Sequence, residues 1–266
     1  MNLHKSIQDG VELYQMETLT AKALLKSAKP YHILLGSRSM SKATDAVAKL
    51  FEHVPATQNT LEGLQIDMAD DESIQRAAHM IADKWGRVDI LVNNAGVAFD
   101  VLSGTDATNA RSVFNDTYNI NVSGTNMVTF VLASLLLKSS SPRLLFLTSG
   151  LSTMGGFTQS HIPVQSVELG WPKKDFATAQ AYRCSKAAIN MLMLIWNFTL
   201  KQDGVKTWAI APGLLATSMV GDPEVLKQRG AQPPSLGGDF IKTVIEGERD
   251  ADVGKVIARD GVIQPW

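Results

Sequence analysis

Short apolar runs alternate with longer helix-like segments along the chain, and this alternation limits the folds that it can adopt. Strands are predicted for the apolar runs at 31–36, 64–66, 88–92, 143–147, 206–211 and 255–257. Helices are predicted for the periodic segments at 41–51, 71–85, 110–137 (two stretches that meet near 121–124), 179–201 and 238–246. The pattern therefore predicts an α/β fold, with a doubly wound parallel sheet between two helical layers, and one domain over residues 1–266.

The charge balance gives no reason to expect a polyanionic partner. The 266 residues carry 25 Lys and Arg against 26 Asp and Glu, so we predict binding neither to nucleic acid nor to an anionic membrane. One cysteine excludes an internal disulfide, and five scattered histidines lack the spacing of zinc ligands, so no metal is predicted. The start of the chain does not resemble a signal peptide, and the apolar stretch at 127–137 is too short to span a bilayer. We therefore expect a cytoplasmic protein.

Glycine and polar residues follow the predicted strands. They stand at 36–38, 67, 93–96, 149 and 212–213. Because open parallel sheets bind ligands beyond the carboxyl ends of their strands, these residues are expected to line one cleft. Residues 150–177, rich in Gly, Ser, Thr and Pro, predict a long functional loop, and 214–238 predicts a mobile lid.

Tyr182 and Lys186 are the strongest candidates for catalytic residues. They stand four apart on a predicted helix, so their side chains share a face. An ammonium beside a phenol favours the phenolate, and we expect Lys186 to lower the pKa of Tyr182. Such a tyrosine can give a proton to a carbonyl oxygen as hydride reaches the carbon, while Ser149 at a strand end bonds the same oxygen. A lone Tyr-x-x-x-Lys pair is weak evidence, but the pair with Ser149 and an NNAG turn is far more specific.

Together these motifs resemble the short-chain dehydrogenase/reductase superfamily, over about residues 20–260. The matching motifs are NNAG at 93–96, Asn121 in NVSG, Ser149, Tyr182 to Lys186, and Pro212-Gly213 followed by Thr217. GSRS at 36–39 and the ending DGVIQPW are also similar to reductases of filamentous fungi. The resemblance implies a Rossmann-like three-layer αβα fold and a carbonyl reductase, in fungal secondary metabolism, that acts on a small ketone or aldehyde or on an alcohol in reverse. It also implies a possible homo-oligomer.

The resemblance implies a role for each of four catalytic residues. Tyr182 would be the proton donor, and Lys186 would lower its pKa and bind the nicotinamide ribose. Ser149 would orient the substrate carbonyl. Asn121 would hold a water that relays protons through Lys186.

The resemblance also implies cofactor contacts for Asp67 with the adenine, for Asn94 with the adenosine ribose region, and for Leu215 and Thr217 with the nicotinamide amide and phosphate. Tyr182 and Lys186 belong to this cofactor set as well. Arg38 follows a strand at the position that distinguishes the ribose 2′ group, and no acid stands beside it. An arginine there accommodates a 2′-phosphate, so NADP is the predicted cofactor.

The N-terminus departs from the family. A glycine-rich turn that carries the pyrophosphate is expected near residues 10–17, but GVELYQME contains only Gly10. Glu12 and Glu17 place negative charge where the pyrophosphate would rest. MNLHKSIQD is a poor candidate for a buried central strand, so the first strand and glycine loop are expected to be degenerate.

Two explanations of this departure stay open. The N-terminus could come from a wrong start site or a variant transcript, which we favour because the catalytic set is complete. Alternatively the protein is a divergent member that binds cofactor weakly. The corresponding functions are an NADPH-dependent carbonyl reductase and a non-catalytic binding or regulatory protein on a disabled scaffold.

Overall fold

A computed structural model of the chain describes residues 16–103, 106, 108–158, 169–171 and 179–266. The helices in this part are α1 Met16–Leu25, α2 Met40–His53, α3 Asp71–Lys84, α4 Phe99–Ser103, α5 Ala110–Tyr118, α6 Thr125–Leu136, α7 Met154–Thr158, α8 Gln180–Leu200, α9 Pro223–Gln228 and α10 Ser235–Glu246. The strands are β1 His32–Ser37, β2 Thr60–Gln65, β3 Ile90–Asn93, β4 Arg143–Leu147, β5 Lys206–Ala211 and β6 Val256–Ala258. Helices and strands alternate as the sequence predicts.

The described strands form two parallel sheets, one of β1 and β2 and one in the order β3-β4-β5-β6. All of β4 is buried, whereas Ile90, Leu91 and Val92 of β3 are only partly buried. Among the described strands, β1 pairs with β2 on one side only, and β3 pairs with β4 on one side only. No described strand pairs with the other side of either strand. The degenerate first strand predicted from the sequence falls on residues outside the described part of the chain.

Hydrophobic clusters join the two sheets on both faces. On one face Ile33 of β1 and Ile90 of β3 pack against the same cluster, which includes α10. On the other face Leu34 and Leu91 pack against the cluster formed by β2, α3 and α6. Because helices cover both faces of parallel strands, the predicted doubly wound, Rossmann-like α/β fold is confirmed.

Local sequence explains where α3 lies. The Asp70 side chain accepts hydrogen bonds from the backbone N–H groups of Glu72 and Ser73, which caps the first turn. Ile74 and Ile81 lie on the buried face of the helix, seven residues apart. By contrast, the start of β2 was predicted four residues too late. The prediction missed its first residues because Glu62 and Gly63 interrupt the apolar run.

The two helical stretches predicted within 110–137 are confirmed. A π-helical turn, Asn119–Gly124, joins α5 to α6. A Cβ on Gly124 would collide with the carbonyl oxygen of Met68, so only glycine allows this turn to contact the segment that follows β2.

Two loop predictions are partly wrong. The segment predicted as a loop at 150–177 contains a 3₁₀ turn, Gly150–Ser152, and α7. Its remainder lies largely outside the described residues. The predicted lid contains α9 and the start of α10. Helix α9 begins there because Asp222 caps it and Pro223 occupies its first position. Among the described helices none is long and apolar enough to cross a bilayer.

Gly124→Ala is expected to lower the free energy of unfolding by about 2–4 kcal/mol, because its Cβ collides with backbone that cannot move aside. Urea denaturation measures the loss. Ser123→Ala, at an exposed position in the same turn, is the control and should change stability little. Equal stability of the two variants would contradict the close contact with Met68.

Candidate active site

The three central catalytic candidates lie together at the end of β4. Tyr182 and Lys186 are buried on the same face of α8, as their spacing predicts. The Lys186 Nζ lies 5.7 Å from the centroid of the Tyr182 ring. The side chains of Tyr182 and Ser149 share a hydrogen bond. A phenol, a serine hydroxyl and an ammonium therefore converge on one small region.

The expected lowering of the tyrosine pKa is wrong. Burial raises the pKa of Tyr182, and the hydrogen bond with Ser149 only partly offsets this effect. The Lys186 ammonium instead donates a hydrogen bond to the Leu147 carbonyl, 2.7 Å away. Burial lowers the pKa of Lys186 itself to about 8. Tyr182 is thus held as a neutral phenol beside an amine that titrates near neutral pH.

Asn121 forms hydrogen bonds with the residue that follows the NNAG turn. Its Oδ1 accepts a hydrogen bond from the Val97 N–H at 2.8 Å, and its Nδ2 donates to the Val97 carbonyl at 2.9 Å. The same Nδ2 lies 2.9 Å from Ser185 Oγ on α8. A Cβ on Gly96 would lie 3.2 Å from Lys186 Nζ and 3.4 Å from Asn121 Oδ1, so this glycine lets the turn approach both groups.

A buried polar network behind the site was missed by the sequence analysis. Thr148 Oγ1 lies 2.6 Å from Asn190 Oδ1 and 3.1 Å from the Lys186 carbonyl. Asn190 Nδ2 donates to Ser152 Oγ, which also accepts from Gln264 near the C-terminus. Asn190 follows Lys186 by four residues, so continuing the helical spacing would have identified it. Gln264 has no such local signal.

Asp100 supplies the N-terminal cap of α8 from a distant part of the chain. Ala179, which precedes the helix, has a left-handed φ of 50° and gives no side-chain cap. The buried carboxylate of Asp100 instead accepts hydrogen bonds from the N–H groups of Ala181, at 2.8 Å, and Tyr182, at 3.4 Å. Asp100 therefore fixes the turn of α8 that carries Tyr182.

Three cofactor candidates follow β1 and β5. Arg38 is exposed just after β1, and it makes no ion pair with a described residue. Leu215 and Thr217 are buried, and the Thr217 N–H donates to the Leu215 carbonyl at 2.8 Å. A Cβ on Gly237 would lie 2.6 Å from side-chain atoms of both Leu215 and Met16, so Leu215 lies beside the start of α1.

Asp67 is fixed by the turn that leads into α3. Its backbone N–H donates to Ser73 Oγ at 3.0 Å, and its Oδ1 accepts from the Ala69 N–H at 3.0 Å. The structure therefore places Asp67 just beyond β2, as predicted.

Asn94 contacts an acid at the start of α1. Its Nδ2 donates to Glu17 Oε2 at 2.7 Å, and its Oδ1 is buried without a hydrogen-bond partner among the described residues. Burial raises the pKa of Glu17, although its own backbone N–H and Asn94 act in the opposite direction. Glu17 belongs to the first turn of a helix, whereas the sequence analysis included it in the glycine-rich turn. Residues 10–15 of that segment lie outside the described part of the chain.

These residues fit a nicotinamide cofactor at one end. The phenol of Tyr182 and the ammonium of Lys186 are donors suited to a ribose and to the reacting atoms. At the other end the start of α1 would face a diphosphate, and an ionised Glu17 would repel it. The fit therefore depends on the charge of Glu17. The described part of the chain contains no cluster of His, Cys, Asp and Glu that could hold a metal ion.

Comparison with known proteins identifies the family. The model of the short chain dehydrogenase family matches residues 19–161 and 165–224. The chain belongs to this family of oxidoreductases. The match leaves out residues 1–18, which include the segment where the glycine-rich turn is expected.

Similar fungal proteins cover almost the whole chain. The short-chain dehydrogenase/reductase tropE of Talaromyces stipitatus is 41% identical over 93% of this chain and 92% of its own length. The short-chain dehydrogenase/reductase eupG of Phoma sp is 38% identical over the same shares. Among solved structures, the NADPH-bound carbonyl reductase from chicken fatty liver has a TM-score of 0.73 at 18% identity, over 95% of each chain. This last likeness shows the fold alone.

Asp100→Ala is expected to lower the free energy of unfolding by about 1–2 kcal/mol, because α8 loses the cap on its first turn. Asp100→Asn keeps an acceptor oxygen and should cost less. Denaturant unfolding measures both, with Asp116→Ala at an exposed position of α5 as the control. The cap assignment is wrong if Asp100→Ala is no less stable than Asp116→Ala.

Proposed function

We propose that the protein reduces a ketone or aldehyde with hydride from NADPH. One observation carries the proposal: the side chain of Tyr182 is hydrogen-bonded to that of Ser149 and lies next to Lys186. The chain that holds this arrangement belongs to an oxidoreductase family. The chicken carbonyl reductase, which shares the fold, binds NADPH, and we assign the same cofactor and substrate class to this chain.

In this proposal two hydroxyl groups bind the substrate carbonyl oxygen. When bound, NADPH supplies the hydride that adds to the carbonyl carbon. Ser149 and Tyr182 donate hydrogen bonds to the oxygen, and Tyr182 gives up its proton to it as negative charge develops there. The raised pKa of Tyr182 keeps the phenol protonated at neutral pH, which is the form that reduction requires.

Lys186 and Asn121 return the proton to Tyr182. Because burial lowers the pKa of Lys186 to about 8, this amine can lose and regain a proton near neutral pH. Asn121 Oδ1 accepts only one hydrogen bond from a described residue and has a second lone pair for a water. We assign that water to the path between Lys186 and solvent.

The remaining cofactor candidates hold the two ends of NADPH. We assign Arg38 to the 2′-phosphate, Asp67 to the adenine, and Asn94 to the adenosine ribose region. Leu215 and Thr217 are assigned to the nicotinamide amide and phosphate. The exposure of Arg38 and the absence of an ion pair with any described residue leave its guanidinium available for this contact.

We place the reaction in the cytoplasm and in fungal secondary metabolism. The segments GSRS and DGVIQPW and the fungal relatives support the fungal setting.

We also propose that the chain is one domain and pairs with a second copy, since Phe130 on α6 and Ile195 and Phe198 on α8 expose apolar side chains. The substrate is a small molecule.

The position of Glu17 at the start of α1 favours a second candidate, a non-catalytic binding protein on the same scaffold. If its charge excludes NADPH, the catalytic residues have no hydride to use. Calorimetry separates the candidates, because submicromolar NADPH affinity supports the enzyme and no measurable affinity supports the binding protein.

Tyr182→Phe is expected to lower NADPH-dependent reduction by about 100-fold or more, because the proton donor is lost. The assay follows NADPH absorbance with a panel of ketones and aldehydes. Tyr31→Phe, at the opposite end of β1, is the matched control and should keep wild-type turnover. Unchanged turnover in Tyr182→Phe would rule out the mechanism.

Arg38→Ala is expected to weaken NADPH binding by about tenfold or more and to leave NADH binding unchanged, because only NADPH carries the 2′-phosphate. Fluorescence titration with each nucleotide measures this difference. Arg111→Ala removes an exposed arginine from α5 and controls for net charge. Equal losses for NADPH and NADH would contradict the assignment of Arg38.

A further inference from the structure

Glu17 is a partly buried acid that faces the NNAG turn. It lies in the first turn of α1, and its Oε2 accepts a hydrogen bond from Asn94 Nδ2 at 2.7 Å. Helix N-termini attract anions, which favours an ionised acid, yet burial outweighs this effect and raises the pKa of Glu17. The acid and the amide therefore meet where both are partly shielded from water.

Within the described part of the chain, the Asn94 amide has a free acceptor that a protonated Glu17 could satisfy. Asn94 Oδ1 is buried and has no donor among the described residues. A protonated carboxyl group supplies a donor as well as an acceptor, so it can satisfy both ends of the amide. Exchanging the amide oxygen and nitrogen of Asn94 does not remove this need, because an ionised carboxylate donates to neither orientation. An ionised Glu17 would leave the amide oxygen unsatisfied.

No described charged group stabilises an ionised Glu17. Helix α1 packs mainly against α10, and also against α2, β1 and β2. The titratable residues of these elements are Lys22, His32, Lys42, Asp45, Lys49, Glu52, His53, Glu62, Asp239, Lys242 and Glu246. None of their charges acts on the pKa of Glu17. Lys242 and Glu246 pair with each other at 3.8 Å.

We propose that Glu17 lies beside Asn94 as the neutral acid and that its ionisation excludes NADPH, so that this residue sets cofactor affinity. The inference rests on the proposed function, because it takes NADPH as the cofactor. A neutral Glu17 leaves the positive end of the α1 dipole available to a diphosphate. An ionised Glu17 cancels that field and repels the anion.

Glu17→Gln tests the protonation state without any nucleotide. Glutamine keeps the donor and the acceptor that a neutral acid offers to Asn94 but cannot ionise. A carboxyl with a raised pKa favours the folded state at low pH, and that advantage is lost as the pH rises through its folded pKa. The denaturant midpoint of the wild type should therefore fall relative to that of Glu17→Gln as the pH rises above about 5.

Fluorescence titration with NADPH tests the consequence for the cofactor. Wild-type affinity should fall about tenfold more than that of Glu17→Gln as the pH rises from about 5, near the ordinary carboxyl pKa, into the alkaline range, since ionisation occurs only in the wild type. Glu52→Gln removes the same charge from an exposed position of α2 and should follow the wild type in both experiments.

The outcomes are distinguishable. Parallel pH profiles of stability for wild type and Glu17→Gln would overturn the neutral acid. Parallel pH profiles of affinity would overturn its role in cofactor binding and leave the proposed function intact. If none of the proteins binds NADPH at any pH, the proposed function and the effect on affinity both fail, while the stability experiment still decides the protonation of Glu17.

Discussion

The hydrogen bond between the Lys186 ammonium and the Leu147 carbonyl joins the catalytic helix to the sheet. Removing a charged amine from water is costly, and this bond of 2.7 Å recovers part of the cost. It fixes α8 over the end of β4, where Ser149 follows two residues later and meets Tyr182. Asp100 holds the start of the same helix. The relative positions of the phenol, the serine and the amine therefore depend on how this one buried cation is accommodated.

The opposite end of the cleft has a different physical character. There the described strands fall into two parallel sheets that share their hydrophobic clusters, and α1 begins beside the NNAG turn with a partly buried acid. The catalytic end contains groups that donate protons and hydrogen bonds, whereas the cofactor end contains Glu17, whose charge opposes a diphosphate. Both ends use burial to shift a pKa, downward for Lys186 and upward for Glu17, and each shift is toward the neutral form.

Most of the fold could be predicted from local patterns. The strands 31–36, 143–147 and 206–211 were predicted within one residue of β1, β4 and β5, because continuous apolar runs bounded by turns have few other interpretations. The strand β2 was predicted too short because Glu62 and Gly63 interrupt its apolar character. Residues 150–158 were predicted as a loop because glycines and hydroxyl residues are typical of loops. The short helix α7 lies there, and the Gly155 N–H in it donates a hydrogen bond to the carbonyl of the C-terminal Trp266.

The sequence by itself determined the α/β class, the candidate residues Tyr182, Lys186, Ser149 and Asn121, and the departure at Glu17, since each depends on residue type and on spacing within one element or turn. The tertiary structure decided what those groups do to one another. The pKa of Tyr182 is raised, and Lys186 bonds to a carbonyl of β4. Asp100 caps a helix that begins 80 residues later, and Glu17 meets Asn94 across the cleft. Burial and long-range hydrogen bonds have no local signature, because they depend on which distant elements pack together.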